Sequence, residues 1–131
     1  MTFHVEHLGL PARNPAALKD WYIRVLDAKL LYTDGRTPPC FFVQLPGGVM
    51  LEIYQSTSSL DQTADNKLAG WRHIALRVDS LDTARRELAM RGLQFTAPET
   101  AAAGAGRVQY FTDAEGNLIH LVERTSDSAL R

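Results

Sequence analysis

The sequence predicts an α+β fold made of two tandem βαβββ modules, and three observations predict it. His7-Leu8-Gly9-Leu10 in the first half is matched by His73-Ile74-Ala75-Leu76 in the second. Gly48-Val49-Met50-Leu51-Glu52-Ile53 is matched by Gly116-Asn117-Leu118-Ile119-His120-Leu121. The offsets agree, 66 at the opening motif and 68 at the closing one, and each half places one helical stripe among strand-like runs. A repeat of this length implies two copies of one supersecondary unit, neither able to bury its apolar face alone.

In the first module, Phe3 to Leu10 reads as a strand. Asn14 then serves as N-cap and Pro15 as first helical residue, and Leu18, Trp21, Tyr22 and Val25 follow at helical spacing, so residues 15–28 form an amphipathic helix. Lys29 to Thr33 is a short strand ended by Asp34-Gly35 and Pro38-Pro39. Cys40 to Leu45 and Val49 to Gln55 make a hairpin around Pro46-Gly47-Gly48. Ser56 to Gly70 is polar, without apolar period, and reads as the linker between modules.

The second module repeats the order. Arg72 to Val78 is a strand, and a helix runs from about Leu81 to Arg91, capped by Ser80 and ended by Gly92. Leu93 to Thr96 is expected as a short strand and Ala101 to Gly106 as a small-residue loop. Arg107 to Thr112 and Leu118 to Arg124 pair across Asp113-Ala114-Glu115-Gly116-Asn117, and residues after Thr125 read as a frayed tail. The expected organisation is one domain over 1–131, with module one at about 3–55, the linker at 56–70 and module two at about 71–124.

Composition sets the bounds. The chain of 131 residues suffices for one core, and 45% apolar with 22% charged residues is ordinary for a globular protein. A net charge of −1 leaves no electrostatic footprint for nucleic acid or an anionic membrane. No apolar run approaches the ~20 residues that span a bilayer. Met1 to Glu6 has neither the basic nor the apolar region of a signal peptide, and a single cysteine, Cys40, allows no internal disulfide. The expected compartment is the cytoplasm.

Strand parity selects the candidate site. Successive strand residues point to opposite faces of a sheet. Leu8 and Leu10, then Leu51 and Ile53, Ile74 and Leu76, and Ile119 and Leu121 form apolar stripes for the helices to cover. His7, Glu52, His73 and His120 all fall on the opposite face, as do Tyr54 and Arg77. Glu123 and His4 have the wrong parity. Three imidazoles and one carboxylate at equivalent points of a repeat suit a borderline divalent ion, with Zn, Fe or Ni ahead of Mg.

With these residues in view, the chain resembles the vicinal oxygen chelate superfamily, which includes glyoxalase I, extradiol dioxygenases, fosfomycin-resistance enzymes and bleomycin-binding proteins. The resemblance runs from His7 to about Arg124. It is carried by the two histidine motifs, by Trp21-Tyr22-Ile23-Arg24-Val25-Leu26, by Leu51-Glu52-Ile53 and by Phe111 to Leu121. It implies paired modules forming a cup-shaped mixed sheet, helices on the outer face, around a metal that takes two adjacent substrate oxygens. His7, Glu52 and His73 match three ligands of the glyoxalase I pattern, whereas His120 stands where that pattern has a glutamate.

The resemblance implies a metal-dependent lyase or isomerase acting on a small-molecule substrate. Glu52 would move the proton, with His120 as an alternative carrier, and Arg77 and Tyr54 would contact substrate. An iron-dependent extradiol-type dioxygenase is the second reading, weakened because four protein ligands leave few open positions. A non-enzymatic drug- or metabolite-binding resistance protein is the third. A homodimer that exchanges modules is expected of short members.

Overall fold

A computed structural model describes residues 1–59 and 61–130. Leu60 of the expected linker and Arg131 of the expected tail lie outside the described residues. The chain divides into two compact units, Met1–Asp61 and Gln62–Arg131. Each has the order βαβββ. The first holds β1 (His7–Ala12), α1 (Pro15–Leu26), β2 (Lys29–Thr33), β3 (Phe41–Gln44) and β4 (Met50–Gln55). The second holds β5 (His73–Arg77), α2 (Leu81–Met90), β6 (Thr100–Ala101), β7 (Arg107–Thr112) and β8 (Leu118–Glu123). The two tandem βαβββ modules of an α+β fold are present.

The first unit's sheet has the order β1-β4-β3-β2, with β1 parallel to β4 and the remaining pairs antiparallel. Asn14 caps α1 by accepting from the Ala17 amide at 3.1 Å, and Pro15 occupies the first turn, where its missing N–H leaves no bond unmade. Leu18, Tyr22 and Val25 are buried on the inner side of α1, which packs on β3 and β4 over Val43, Leu51 and Ile53. Burying a Leu, Ile or Val side chain is worth about 1.5–3 kcal/mol. This stripe therefore fixes which face of the sheet is left for chemistry. Leu45 and Val49 close the β3–β4 hairpin through an N–H···O bond of 2.8 Å, and Gly47 and Gly48 take the positive φ values the turn demands.

The second unit repeats the topology as β5-β8-β7-β6. Ser80 Oγ accepts from the Thr83 amide at 3.2 Å at the start of α2, while Gly92, at φ +90°, ends it. Leu81 and Leu88 are buried on α2, which contacts β7 and β8. In the β7–β8 turn the Asp113 carboxylate accepts from the Glu115 and Asn117 amides and from the Asn117 side chain, at 2.8–3.0 Å.

Three expectations need correction. The first strand begins at His7 rather than Phe3, because its ladder with β4 opens at His7 opposite Met50; Phe3 and Val5 are exposed. Residues 93–96 form no strand. Leu93, Phe95 and Ala97 alternate inward, but the segment is held by side chains, with Phe95 edge-on to Phe111 at 5.7 Å and Gln109 Nε2 donating to the Ala97 carbonyl at 2.7 Å. The fourth strand is instead β6, where Thr100 and Ala101 pair with Val108 and Arg107. The end of the chain is also tied down: Ser128 is buried and its hydroxyl donates to the Gly104 carbonyl. Among the described residues no helix is long and apolar enough to cross a membrane.

Candidate metal centre

In the first unit, register brings His7 and Glu52 together. Gly9 lies opposite Glu52 across the parallel β1–β4 ladder, so His7, two residues before Gly9, shares its face. His7 Nε2 stands 3.0 Å from Glu52 Oε2, both side chains about one-third exposed. The other ring nitrogen, Nδ1, lies 3.0 Å from Glu6 Oε1. Phe42, opposite Glu52 on β3, meets the His7 ring edge-on at 5.2 Å and Tyr32 at 6.1 Å. Glu52 Oε1 accepts from the Cys40 thiol at 3.6 Å. Burial and the neighbouring Glu52 push that thiol up from its ordinary range, which keeps it protonated and donating. Tyr54 lies across Gly9: a β-carbon at residue 9 would stand 3.4 Å from the Tyr54 hydroxyl.

The second unit builds the matching pair from β5 and β8. Ala75 lies opposite His120, and the His73 and His120 rings stack at 4.7 Å with a 36° tilt. Tyr110, opposite His120 on β7, meets that ring at 4.8 Å and His73 at 5.9 Å. Asn66 Oδ1 is 2.7 Å from His73 Nδ1, and Asn66 Nδ2 donates to the Tyr110 hydroxyl at 3.4 Å. His120 is 8% exposed, and its buried Nδ1 has no hydrogen-bond partner among the described residues. Burial, reinforced by the charges of His73 and Arg124, pushes the imidazole down to about 4. At neutral pH it is an uncharged base with a lone pair.

Of the six residues the sequence nominates, the structure pairs His7 with Glu52 and His73 with His120. Tyr54 stands on the same face as the first pair. Arg77 is exposed, and its guanidinium donates to the Leu130 carbonyl at 3.2 Å. Glu123 lies on the helix side, as parity requires, accepting from the Leu81 amide at the start of α2 and from Arg107. Sequence reasoning missed Phe42 and Tyr110, although they share the 68-residue offset of Glu52 and His120. It also missed Cys40 and Asn66, which no spacing marks.

The donors suit a divalent cation. Two ligands about 2.1 Å from one ion stand roughly 3.0–3.4 Å apart, and the His7–Glu52 separation falls at that value. A buried imidazole nitrogen without a partner costs about 1–3 kcal/mol, which coordination would relieve at His120. Among the described residues, neither unit by itself gathers three or more His, Cys, Asp or Glu side chains able to hold an ion. Each supplies a pair.

Comparison with known proteins assigns the chain to a family. The model of the Glyoxalase/Bleomycin resistance protein/Dioxygenase superfamily matches residues 4–121, and the chain belongs to that superfamily. A glyoxalase/bleomycin resistance protein/dioxygenase domain from Frankia sp. EAN1pec is 25% identical, with a TM-score of 0.72 over 95% of this chain and 100% of that one. A variant of the fosfomycin resistance protein FosX from Listeria monocytogenes, in complex with Mn(II) and 1S,2S-dihydroxypropylphosphonic acid, is 22% identical, with a TM-score of 0.72 and coverage of 97% and 94%. TnmS3, an antibiotic-binding protein from Streptomyces sp. CB03234, is 23% identical, with a TM-score of 0.68 and coverage of 95% and 98%. A search of curated proteins gave no match.

The lowered basicity of His120 has a measurable consequence. Between pH 6.5 and 4 the unfolded chain protonates this residue and the folded chain does not. In metal-free protein its contribution is therefore neutral above pH 6.5, and stability is lost as pH falls toward 4. Urea midpoints measured across that range should decline less steeply for His120→Gln than for the parent. Parallel declines would show that His120 protonates equally in both states.

Proposed function

We propose that the chain is a metal-dependent enzyme that binds a small substrate through adjacent oxygens and catalyses proton transfer of the lyase or isomerase type. The observation that carries this reading is the repeated pair: in each module a strand histidine faces a second donor beside an aromatic ring. His7, Glu52, His73 and His120 would hold the ion. Three imidazoles favour Zn, Fe or Ni, and the Mn(II) in the FosX complex supports a divalent metal of this series. A bound ion supplies Lewis-acid polarisation of substrate oxygens, worth several kcal/mol of charge stabilisation.

The protein's own groups do the rest. Glu52 takes the substrate proton, its carboxylate oriented by the Cys40 thiol, which donates to Oε1. His120, uncharged at neutral pH, is the alternative proton carrier. Tyr54 and Phe42 supply aromatic surface against the substrate's carbon skeleton. Arg77, with guanidinium donors beyond the one given to the Leu130 carbonyl, would pair with an anionic substrate group.

A second reading, capture of a drug or metabolite without turnover, draws on a separate observation. Tyr32 and Phe42 are in edge contact, and Tyr32 and Tyr54 are exposed, which is the chemistry of an aromatic binding surface. The likeness to TnmS3 supports it.

Each half of the ligand set sits in a different module, and we propose a homodimer in which modules are exchanged, His7 and Glu52 of one chain facing His73 and His120 of the other. Mixing His7→Ala with His73→Ala under subunit exchange then creates mixed dimers with one intact site, and part of the activity returns. No recovery would place all four ligands within one chain.

Glu52→Gln should lower turnover by at least about 100-fold while metal content falls much less, because an amide cannot accept the proton whereas three imidazoles still bind. Metal analysis beside kinetics checks this. Equal losses would make Glu52 a ligand alone, and parent protein without a stoichiometric divalent ion would favour capture.

A further inference from the structure

The repeat breaks at the residue before each histidine. Glu6 precedes His7 and its carboxylate lies 3.0 Å from the ring Nδ1. The equivalent residue before His73 is Arg72, whose guanidinium has only donors and cannot play that part. The acceptor comes from elsewhere: Asn66, seven residues upstream, places Oδ1 2.7 Å from His73 Nδ1. Its Nδ2 donates to the Tyr110 hydroxyl at 3.4 Å, so the amide bridges His73 and Tyr110. Tyr110 in turn lies edge-on to both His73 and His120.

We propose that Asn66 is a positioning residue that selects the tautomer of His73. By accepting from Nδ1–H it leaves Nε2 bare, and by donating to Tyr110 it holds the aromatic wall of the second donor pair in the same bond network. A neutral histidine offers a cation only the nitrogen that carries no proton, and which nitrogen that is depends on the bond made by the other. Asn66 thus does for His73 what Glu6 does for His7, without adding a negative charge. The second pair contains no carboxylate, while the first carries Glu6 and Glu52.

This inference rests on the metal-binding reading for its purpose, though not for its observable. Ring-nitrogen correlation spectra of 15N-histidine-labelled, metal-free protein report the His73 tautomer directly. The parent should show Nδ1–H with Nε2 unprotonated. Asn66→Ala should move His73 toward the Nε2–H form that an unconstrained neutral histidine prefers, and Asn66→Asp, which still accepts from Nδ1–H, should retain the parent tautomer. Asn66 is exposed, and amide fingerprint spectra verify that each variant folds. Divalent-ion titration with Zn²⁺ should then show about 10-fold or greater weakening in Asn66→Ala and much less in Asn66→Asp.

An Nε2–H tautomer in the parent overturns the proposal, since the amide would then be turned to donate to Nδ1 and accept from Tyr110. An unchanged tautomer in Asn66→Ala overturns it equally. If the tautomer shifts as expected but the parent binds no ion, the positioning role of Asn66 stands and the metal reading is what fails.

Discussion

The two-residue period of a pleated strand is the constraint on which the rest depends. Once α1 buries Leu51 and Ile53, Glu52 has no choice of face, and the parallel ladder that sets Gly9 opposite Glu52 brings His7 with it. The same holds for Ile119 and Leu121, which commit His120 to the other face, and for Ala75, which brings His73 beside it. Hydrophobic burial of several kcal/mol per module is thereby converted into the position of two polar side chains. A slip of one residue in either ladder would turn the donors toward the helix.

Small residues at the cross-strand positions let the donors meet. Gly9 and Ala75 leave space beside Glu52 and His120, and Tyr54 uses that space by lying across Gly9. The two pairs have then diverged electrostatically. The first is a histidine between carboxylates, about one-third open to water. The second is a stack of imidazoles whose buried member is held neutral by desolvation and by its neighbours' charges. Of the four donors, only Glu52 carries a negative charge. With a histidine, His120, at this position of the second module, the carboxylates beside the strand histidines, Glu6 and Glu52, both lie in the first.

Much of this was legible in the sequence because it depends on periodicity. The caps Asn14 and Ser80, the breaker Gly92 and the hairpin glycines each act through local backbone chemistry and appear where that chemistry predicts. The rejection of Glu123 also followed from parity alone. What was not legible depends on partners distant in sequence. Leu93, Phe95 and Ala97 alternate like a strand, yet a side chain from β7 holds that segment where a ladder was expected. The last residues look polar and loose, but Ser128 and Leu130 bond to Gly104 and Arg77. Asn66 lies in a stretch without pattern, and only folding reveals that it faces His73.

The central proposal is that His7, Glu52, His73 and His120 would together hold one cation through nitrogen and oxygen donors. X-ray absorption fine structure at the edge of the bound metal tests it most directly, because it counts imidazole rings and distinguishes sulfur from lighter ligands. The account predicts a first shell of nitrogen and oxygen at about 2.0–2.2 Å, with outer-ring scattering from three imidazoles. A sulfur ligand at about 2.3 Å would bring Cys40 into the shell, and a single imidazole would leave the repeated pairs unconnected. Either result would contradict the account.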